Sequence, residues 1–262
     1  MPVQLRFFIG TLLWALPIFG QVQLRGLSFW NEPTLDIYQI DNHFSQEKKF
    51  LQRVSPDSMG IFNVQLDLQA ISTLQICGSN KCAMLYAQPK GRYLIELPLE
   101  EAQTYYNQDM QEIELLFYQL DTTDINYRIL GFEAWMDNYI ADIYQLKDIR
   151  SNEFILKVLA FKAETAAVYG NETNAFLRDY IKYSVGLTID NFSVVGGPSK
   201  EDKYEFYLQT DSVAYDQPKL IEYARLFYEA YDSQVDLNVR NAVQIALQAN
   251  SLDALIAALR QD

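Results

Sequence analysis

The sequence has little cysteine, histidine or positive charge, and each shortage excludes some classes of function. Two cysteines and one histidine occur among 262 residues, and 21 lysines and arginines stand against 34 aspartates and glutamates. The net charge of −13 predicts no binding to nucleic acid or to anionic lipid surfaces, because both repel an acidic protein. After residue 20 no apolar run is long enough to span a bilayer, so we expect no membrane insertion of the mature chain.

The single histidine narrows the choice of catalytic and metal-binding sites. A histidine-based metal site, a Ser-His-Asp triad and a Cys-His pair would all have to use His43. Its polar surroundings, Asp-Asn-His-Phe-Ser, predict a solvated loop instead. A glycine-rich phosphate loop is also missing, since Gly196-Gly197 lacks the further glycine or Gly-Lys, and no calcium loop occurs. We therefore expect no catalytic residue, no metal site and no cofactor.

The first 20 residues, MPVQLRFFIGTLLWALPIFG, have the pattern of a secretory signal peptide. Arg6 supplies the positive charge, Phe7–Phe19 form the apolar region, and Gly20 is the small residue before the cleavage point. The apolar region is shorter than the roughly 20 residues of a membrane-spanning helix, which leaves a buried N-terminal helix as the alternative. Cleavage would give a mature net charge of 20 − 34 = −14. We expect a periplasmic or secreted protein.

Cys77 and Cys82 enclose Gly-Ser-Asn-Lys, four residues typical of turns, and are flanked by the segments LQI and AMLY. In an exported protein this arrangement predicts a disulfide that closes the base of a β-hairpin loop. Two free thiols are the alternative. A redox-active pair is a weaker interpretation, because catalytic dithiols use Cys-x-x-Cys at a helix N-terminus.

The first mature half has the pattern of β-structure. Short segments rich in β-branched and aromatic residues recur between turn residues, which favours an antiparallel sandwich over βαβ units. The predicted strands are Gln21–Phe29, Thr34–Ile40, Lys49–Val54, Ile61–Leu68, Ala70–Cys77, Cys82–Ala87, Arg92–Leu97 and Gln111–Leu120.

From Asp124 apolar residues recur every three or four positions, which predicts amphipathic helices. Asp124, Ser151, Asn171 and Ser251 stand where N-caps are expected, whereas Tyr204–Leu208 is ambiguous. The fold prediction is therefore α+β, with a signal peptide in 1–20, an antiparallel β-sandwich domain in 21–121 and a bundle of helices in 122–262. The predicted apolar stripes are Ile125-Ile129-Phe132-Met136-Ile140-Ile143, Phe154-Val158-Phe161-Thr165-Val168, Leu220-Tyr223-Phe227-Tyr231 and Leu252-Leu255-Leu259.

Three tripeptides, Asp57-Ser58-Met59, Asp121-Thr122-Thr123 and Asp211-Ser212-Val213, share one pattern. They resemble the O-glycosylation acceptor pattern of some Gram-negative periplasms. The predicted acceptors are Ser58, Thr122 and Ser212, although so short a pattern also arises by chance.

Four segments follow one another in an order found in a known family. They are YAQPKGRYLIELPL (86–99), DINYRILGFEAWMDNYI (124–140), AFLRDYIKYSVGL (175–187) and QPKLIEYARLFYEAY (217–231). Together they resemble the N-terminal, non-thioredoxin region of exported TlpA-type thioredoxin-like proteins of Gram-negative bacteria. The sequence departs from the family pattern at Lys90, which separates Pro89 from Gly91, while Phe176, Tyr180, Ile181 and Tyr183 match the pattern of the third segment.

The resemblance implies an accessory role beside a thioredoxin-fold domain. In the family a domain with Cys-x-x-Cys follows the helices, but this sequence contains no Cys-x-x-Cys up to Asp262. We therefore expect either the accessory part alone or the front of a longer polypeptide, and the family's oxidoreductase activity is not carried over. The helical half, Asp124 to Asp262, is the expected docking surface.

Three functions remain open at this point. The first is a non-catalytic accessory module of an exported thiol–disulfide system, which binds a thioredoxin-fold domain or an envelope protein client. The second is a stand-alone glycan- or protein-binding β-sandwich, because aromatic residues make up 14% of the sequence and those at a surface can stack on sugar rings. The third is a hydrolase with paired carboxylates such as Glu112 and Glu114, whose spacing is better explained by alternation along a surface strand.

Overall fold

The computed structural model describes residues 21–99, 111–146, 151–188, 199–209, 214–232 and 237–249, together with 254, 257 and 258. It has the predicted α+β fold, in which a sandwich of two β-sheets precedes a set of packed helices. The predicted signal peptide, Ser212 and the last apolar stripe with its N-cap Ser251 lie outside the described residues.

In the part of the chain that the structure describes, nine strands build the sandwich. Their bounds are β1 Gln21–Ser28, β2 Leu35–Asn42, β3 Glu47–Val54, β4 Ile61–Asp67, β5 Ser72–Cys77, β6 Lys81–Ala87, β7 Arg92–Leu97, β8 Gln111–Glu112 and β9 Leu116–Gln119. Half-buried strands such as β1, β4 and β7 alternate between an apolar and a polar face. The strand orders are β4-β1-β7-β9 in one sheet and β3-β2-β5-β6-β8 in the other. Val22, Leu24, Ile37, Leu74 and Ile95 are among the fully buried side chains between the sheets.

The sandwich is mainly antiparallel, as predicted, but two of its strand pairs are parallel, so the sheets are mixed. β1 pairs with β7 in parallel, and so does β6 with β8. Alternation reveals which side of a strand is buried but carries no information on the direction of its neighbour.

The prediction of a single strand over Gln111–Leu120 was wrong, because this segment forms two short strands, β8 and β9, in different sheets. Ile113 and Leu115 lie between β8 and β9 and are buried in the sandwich core, 1% and 6% exposed. This segment therefore crosses from the edge of one sheet to the edge of the other.

In the described residues up to 249, six α-helices follow: α1 Ile125–Tyr144, α2 Asn152–Tyr169, α3 Ala175–Thr188, α4 Lys200–Lys203, α5 Pro218–Asp232 and α6 Leu237–Gln248. The ambiguous segment Tyr204–Leu208 is one turn of π-helix. Asp124 and Ser151 are N-caps as predicted, since their side chains accept bonds from the amides of Asn126 and Phe154. The prediction for Asn171 was wrong: Asn174 accepts from the Leu177 amide, because it stands directly before the first turn of α3.

The helices pack against each other and against one edge of the sandwich. The apolar stripes of α1, α2 and α3 form one cluster that also includes Ile71 and Tyr86 from the sandwich. A second cluster joins α3, the π-helix and α5. The junction of the two halves places α1 beside β6 and creates the cleft described next.

Candidate functional site

A cleft of about 800 Å³ opens between the sandwich and α1. Its three sides are the outer edge of β6, the crossing segment 112–120 and the N-terminal half of α1, while Tyr180 of α3 contributes to the lining. The lining combines apolar side chains, tyrosines and carboxylates, as ligand sites do.

Asn126 fixes α1 to the outer edge of β6. Its side-chain oxygen accepts from the Tyr86 amide at 2.9 Å, and its side-chain nitrogen donates to the Tyr86 carbonyl at 2.6 Å. The same nitrogen donates to Asp124 Oδ1 at 2.9 Å. The Asn126 amide group thus pairs with Tyr86 as a neighbouring strand would, and it sets the width of the cleft at this end.

Tyr86 and Tyr180 place two neutral hydroxyls at the inner side of the cleft. The Tyr180 hydroxyl donates to Glu133 Oε1, and the Tyr86 and Tyr180 rings contact each other edge to face with centroids 5.9 Å apart. Burial, and next the charge of neighbouring groups, raises the pKa of both the Tyr86 and the Tyr180 hydroxyl well above the ordinary value. Both hydroxyls therefore keep their protons at any physiological pH.

The charge of the cleft is negative. Glu112, Glu114 and Glu133 line it, and no lysine, arginine or histidine belongs to its described lining. Glu112 and Glu114 are exposed and stand on the same side of the segment, as their spacing predicted. The cleft as a whole therefore favours a cationic group.

Exposed apolar side chains extend the cleft outward. Leu116 and Tyr118 on β9 and Tyr127 and Leu130 on α1 are each between 43% and 58% exposed. β9 is an edge strand, so this apolar rim lies along an open side of its sheet.

Cys77 and Cys82 are joined by a disulfide across the β5–β6 hairpin. Both residues are buried, and Cys82 lies where β8 pairs with β6. Cys82 belongs to the strand whose outer edge borders the cleft, but neither cysteine lines the cleft. Oxidation of the pair in the exported protein stays a prediction.

The prediction that His43 is solvated was wrong. His43 is only 6% exposed, because the loop before α5 covers the β2–β3 turn: the His43 amide donates to the Tyr215 carbonyl at 2.9 Å. Its Nε2 lies 3.0 Å from the Thr73 hydroxyl. Burial lowers the pKa of His43, while the charge of Asp216 acts in the opposite direction. His43 thus contacts both halves of the molecule and does not line the cleft.

The described glycosylation candidates occupy similar turns. Ser58 and Thr122 are exposed, and the preceding aspartate of each accepts a bond from the amide two residues further on, 2.8 Å in both cases. Neither residue lines the cleft. Glycosylation of these two residues, and of Ser212, stays a prediction.

None of Met84, Tyr86, Asn126, Glu133 and Tyr180 was predicted from the sequence as a binding residue, although the last three lie in the helical half that was predicted as a docking surface. Tyr86, Asn126 and Tyr180 all lie in segments that carry the family resemblance, which is the one signal that could have pointed to them. For Glu112 and Glu114 the sequence favoured the polar face of a surface strand over a functional pair of carboxylates.

Comparisons with known proteins leave the chain without a family assignment. No family model matches it, and no curated protein matches it. One solved structure, described as the NMR structure of a protein from Eubacterium rectale, is 10% identical and covers 41% of this chain and 95% of its own, with a TM-score of 0.24. That similarity carries no argument about function.

In the part of the chain that the structure describes, no helix is long and apolar enough to cross a membrane. The same described residues hold no candidate metal site, since no group of three histidine, cysteine, aspartate or glutamate residues among them is placed to hold a metal ion.

Proposed function

We propose that this chain is a non-catalytic, exported binding module that holds a polypeptide partner of the cell envelope in the cleft between its sandwich and its helices. The observation that supports this most is the cleft itself: about 800 Å³ in volume, negatively charged, and bordered by an edge strand and exposed apolar side chains. Edge strands beside apolar grooves are a recurring way of binding peptides. The proposal requires no cofactor and no metal.

The partner is a thioredoxin-fold domain or a client of an exported thiol–disulfide system. This finer part is supported by the resemblance to TlpA-type proteins. Three of the segments of this chain that carry the resemblance, 86–99, 124–140 and 175–187, meet at the cleft through Tyr86, Asn126 and Tyr180. The periplasmic or secreted location is supported by the signal-peptide pattern of the first 20 residues.

Photo-crosslinking in living cells tests the cleft as the binding site. A benzoylphenylalanine replaces Leu130 of the exported protein, and the matched control carries it at Leu159, a leucine on α2 that is 57% exposed and does not line the cleft. We expect a defined covalent adduct with one polypeptide from position 130 that is absent from position 159. Identical adducts from both positions, or none from position 130, would contradict the proposal.

The alternative function is a glycan-binding protein of the cell envelope. Exposed Tyr118 and Tyr127 beside the carboxylates of the cleft favour it, because aromatic rings stack on sugars and carboxylates accept bonds from hydroxyls. An array of envelope oligosaccharides distinguishes the two functions: retention that Tyr127→Ala abolishes would favour the glycan.

A further inference from the structure

Every second residue of β6 directs its backbone amide and carbonyl away from the neighbouring strand β5. The Cα atoms of Cys77 and Cys82 lie 4.1 Å apart, which marks a pair that exchanges no backbone bonds across β5 and β6. Counting along β6 by two, the same holds for Met84 and Tyr86. The backbone amide and carbonyl of these three β6 residues therefore point away from β5, toward β8 and the cleft.

Two of the three outward positions have partners and the middle one has none. Cys82 pairs with β8, since its carbonyl accepts from the Ile113 amide at 2.7 Å, and Tyr86 pairs with the Asn126 side chain. Past Ile113 the chain leaves β6 for the other sheet. Within the described part of the chain, no group bonds to the outward amide and carbonyl of Met84, which is a lining residue of the cleft.

The outward amide and carbonyl of Met84 are suited to bind an amide-containing group. They offer one donor and one acceptor at strand spacing, and Asn126 already shows next to them how an amide satisfies such a pair. A residue of an extended peptide supplies both partners at once, as in peptide recognition by strand addition. From there the peptide would continue over the apolar rim formed by Leu116, Tyr118, Tyr127 and Leu130.

Charge selects among such peptides. The three carboxylates of the lining, Glu112, Glu114 and Glu133, have no lysine, arginine or histidine beside them in the described lining, so a basic side chain is complementary and an acidic one is repelled.

Resting on the proposed function, we infer that the cleft binds an extended peptide segment with basic side chains, which pairs with the outer edge of β6 at Met84. Affinity comes from the apolar rim and the backbone pairing, and selectivity for basic sequences comes from the carboxylates.

The probe is an acetylated, amidated octapeptide of alternating valine and lysine, compared with the same peptide carrying glutamate for lysine. Calorimetry measures affinity, and hydrogen exchange by NMR follows the Met84 amide in the full mature chain. We expect the lysine peptide to bind, the glutamate peptide to bind at least about tenfold more weakly, and exchange at the Met84 amide to slow at least about tenfold on binding. The Tyr86 amide, already bonded to Asn126, serves as the internal reference.

Modified peptides and a protein variant separate the parts of the inference. One peptide carries N-methyl groups on its valines and a second carries them on its lysines, so that each loses the backbone donors on one edge of the strand. One of these two peptides should bind at least about tenfold more weakly. Glu112→Gln combined with Glu114→Gln should weaken the lysine peptide about three- to tenfold. The matched control, Glu47→Gln with Glu164→Gln, removes two exposed carboxylates elsewhere and should leave the affinity unchanged.

Three results would overturn the inference. They are unchanged affinity of both N-methylated peptides, unchanged exchange at Met84 while the lysine peptide binds, and no binding of the lysine peptide. Protection of Met84 by a neutral oligosaccharide in place of a peptide would also overturn the inference, and it would favour the alternative, glycan-binding function. The other three results do not decide the crosslink from position 130, so the proposed function is tested separately.

Discussion

Replacing Asn126 with alanine should loosen the attachment of the helices to the sandwich. Asn126 is 4% exposed and forms two hydrogen bonds with the Tyr86 backbone. Alanine leaves the Tyr86 amide and carbonyl without those partners, and each lost partner of a buried group costs about 1–3 kcal/mol. Because water reaches the cleft side, we expect the lower part of the combined range, a loss of about 2–4 kcal/mol in the free energy of unfolding.

Asn138→Ala is the matched control, because Asn138 lies on the same helix with an exposed side chain that donates only to the Ala134 carbonyl. We expect it to change the free energy of unfolding by less than about 0.5 kcal/mol. Asn126→Asp keeps the acceptor for the Tyr86 amide but places a carboxylate beside the Tyr86 carbonyl and Asp124, so it should destabilise the protein most at neutral pH and less in acid.

The assay is urea unfolding followed by circular dichroism and by near-ultraviolet signals of Trp30 in the sandwich and Trp135 in the helices. The account predicts lower stability for Asn126→Ala, with the helices unfolding before the sandwich. Equal stability of Asn126→Ala and Asn138→Ala would refute the reasoning that Asn126 joins the two halves.

Three more predictions concern other parts of the molecule. Because burial lowers the pKa of His43, the unfolded chain binds a proton more readily than the folded protein. The free energy of unfolding should therefore fall as the pH drops below 6.5, by at most about 1.4 kcal/mol per pH unit. His43→Gln should remove that slope in a pH series of unfolding curves. Cys77→Ala with Cys82→Ala should lower stability by about 2 kcal/mol in calorimetry and leave the fold intact, and an unchanged melting temperature would contradict a structural disulfide. N-terminal sequencing of exported protein should begin near Gln21, whereas a chain still starting at Met1 would exclude a cleaved signal peptide.

The sequence predicted local structure well where one face of an element is buried. The alternation of QVQLRGLS in β1 matches its alternating exposure, and Phe154, Val158, Phe161 and Thr165 are the buried residues of α2. Val168 continues the same stripe but is 65% exposed. Periodicity identifies the apolar face of a helix, and only the packing shows how far a neighbour covers it.

The cleft could not be predicted from the sequence because its walls come together only in three dimensions. Asn126 and Tyr86 are 40 residues apart, and no local pattern indicates that a side-chain amide takes the place of a strand. Within the described part of the chain, the outward amide and carbonyl of Met84 lack a partner because the chain leaves β6 after Ile113. The apparently continuous strand Gln111–Leu120 hides that crossing in the sequence. His43 was misjudged for the same reason, since a distant loop covers its polar turn.

The most direct test of the central claim is the affinity for the polypeptide captured at position 130, measured by calorimetry with two matched variants. Leu130→Asp places a charge on the apolar rim and adds negative charge to the cleft, and it should weaken binding about 10- to 100-fold. Leu159→Asp changes a leucine outside the cleft that is 57% exposed, against 43% for Leu130, and it should bind as the natural protein does. Equal affinities of the two variants would contradict the assignment of the cleft as the binding site.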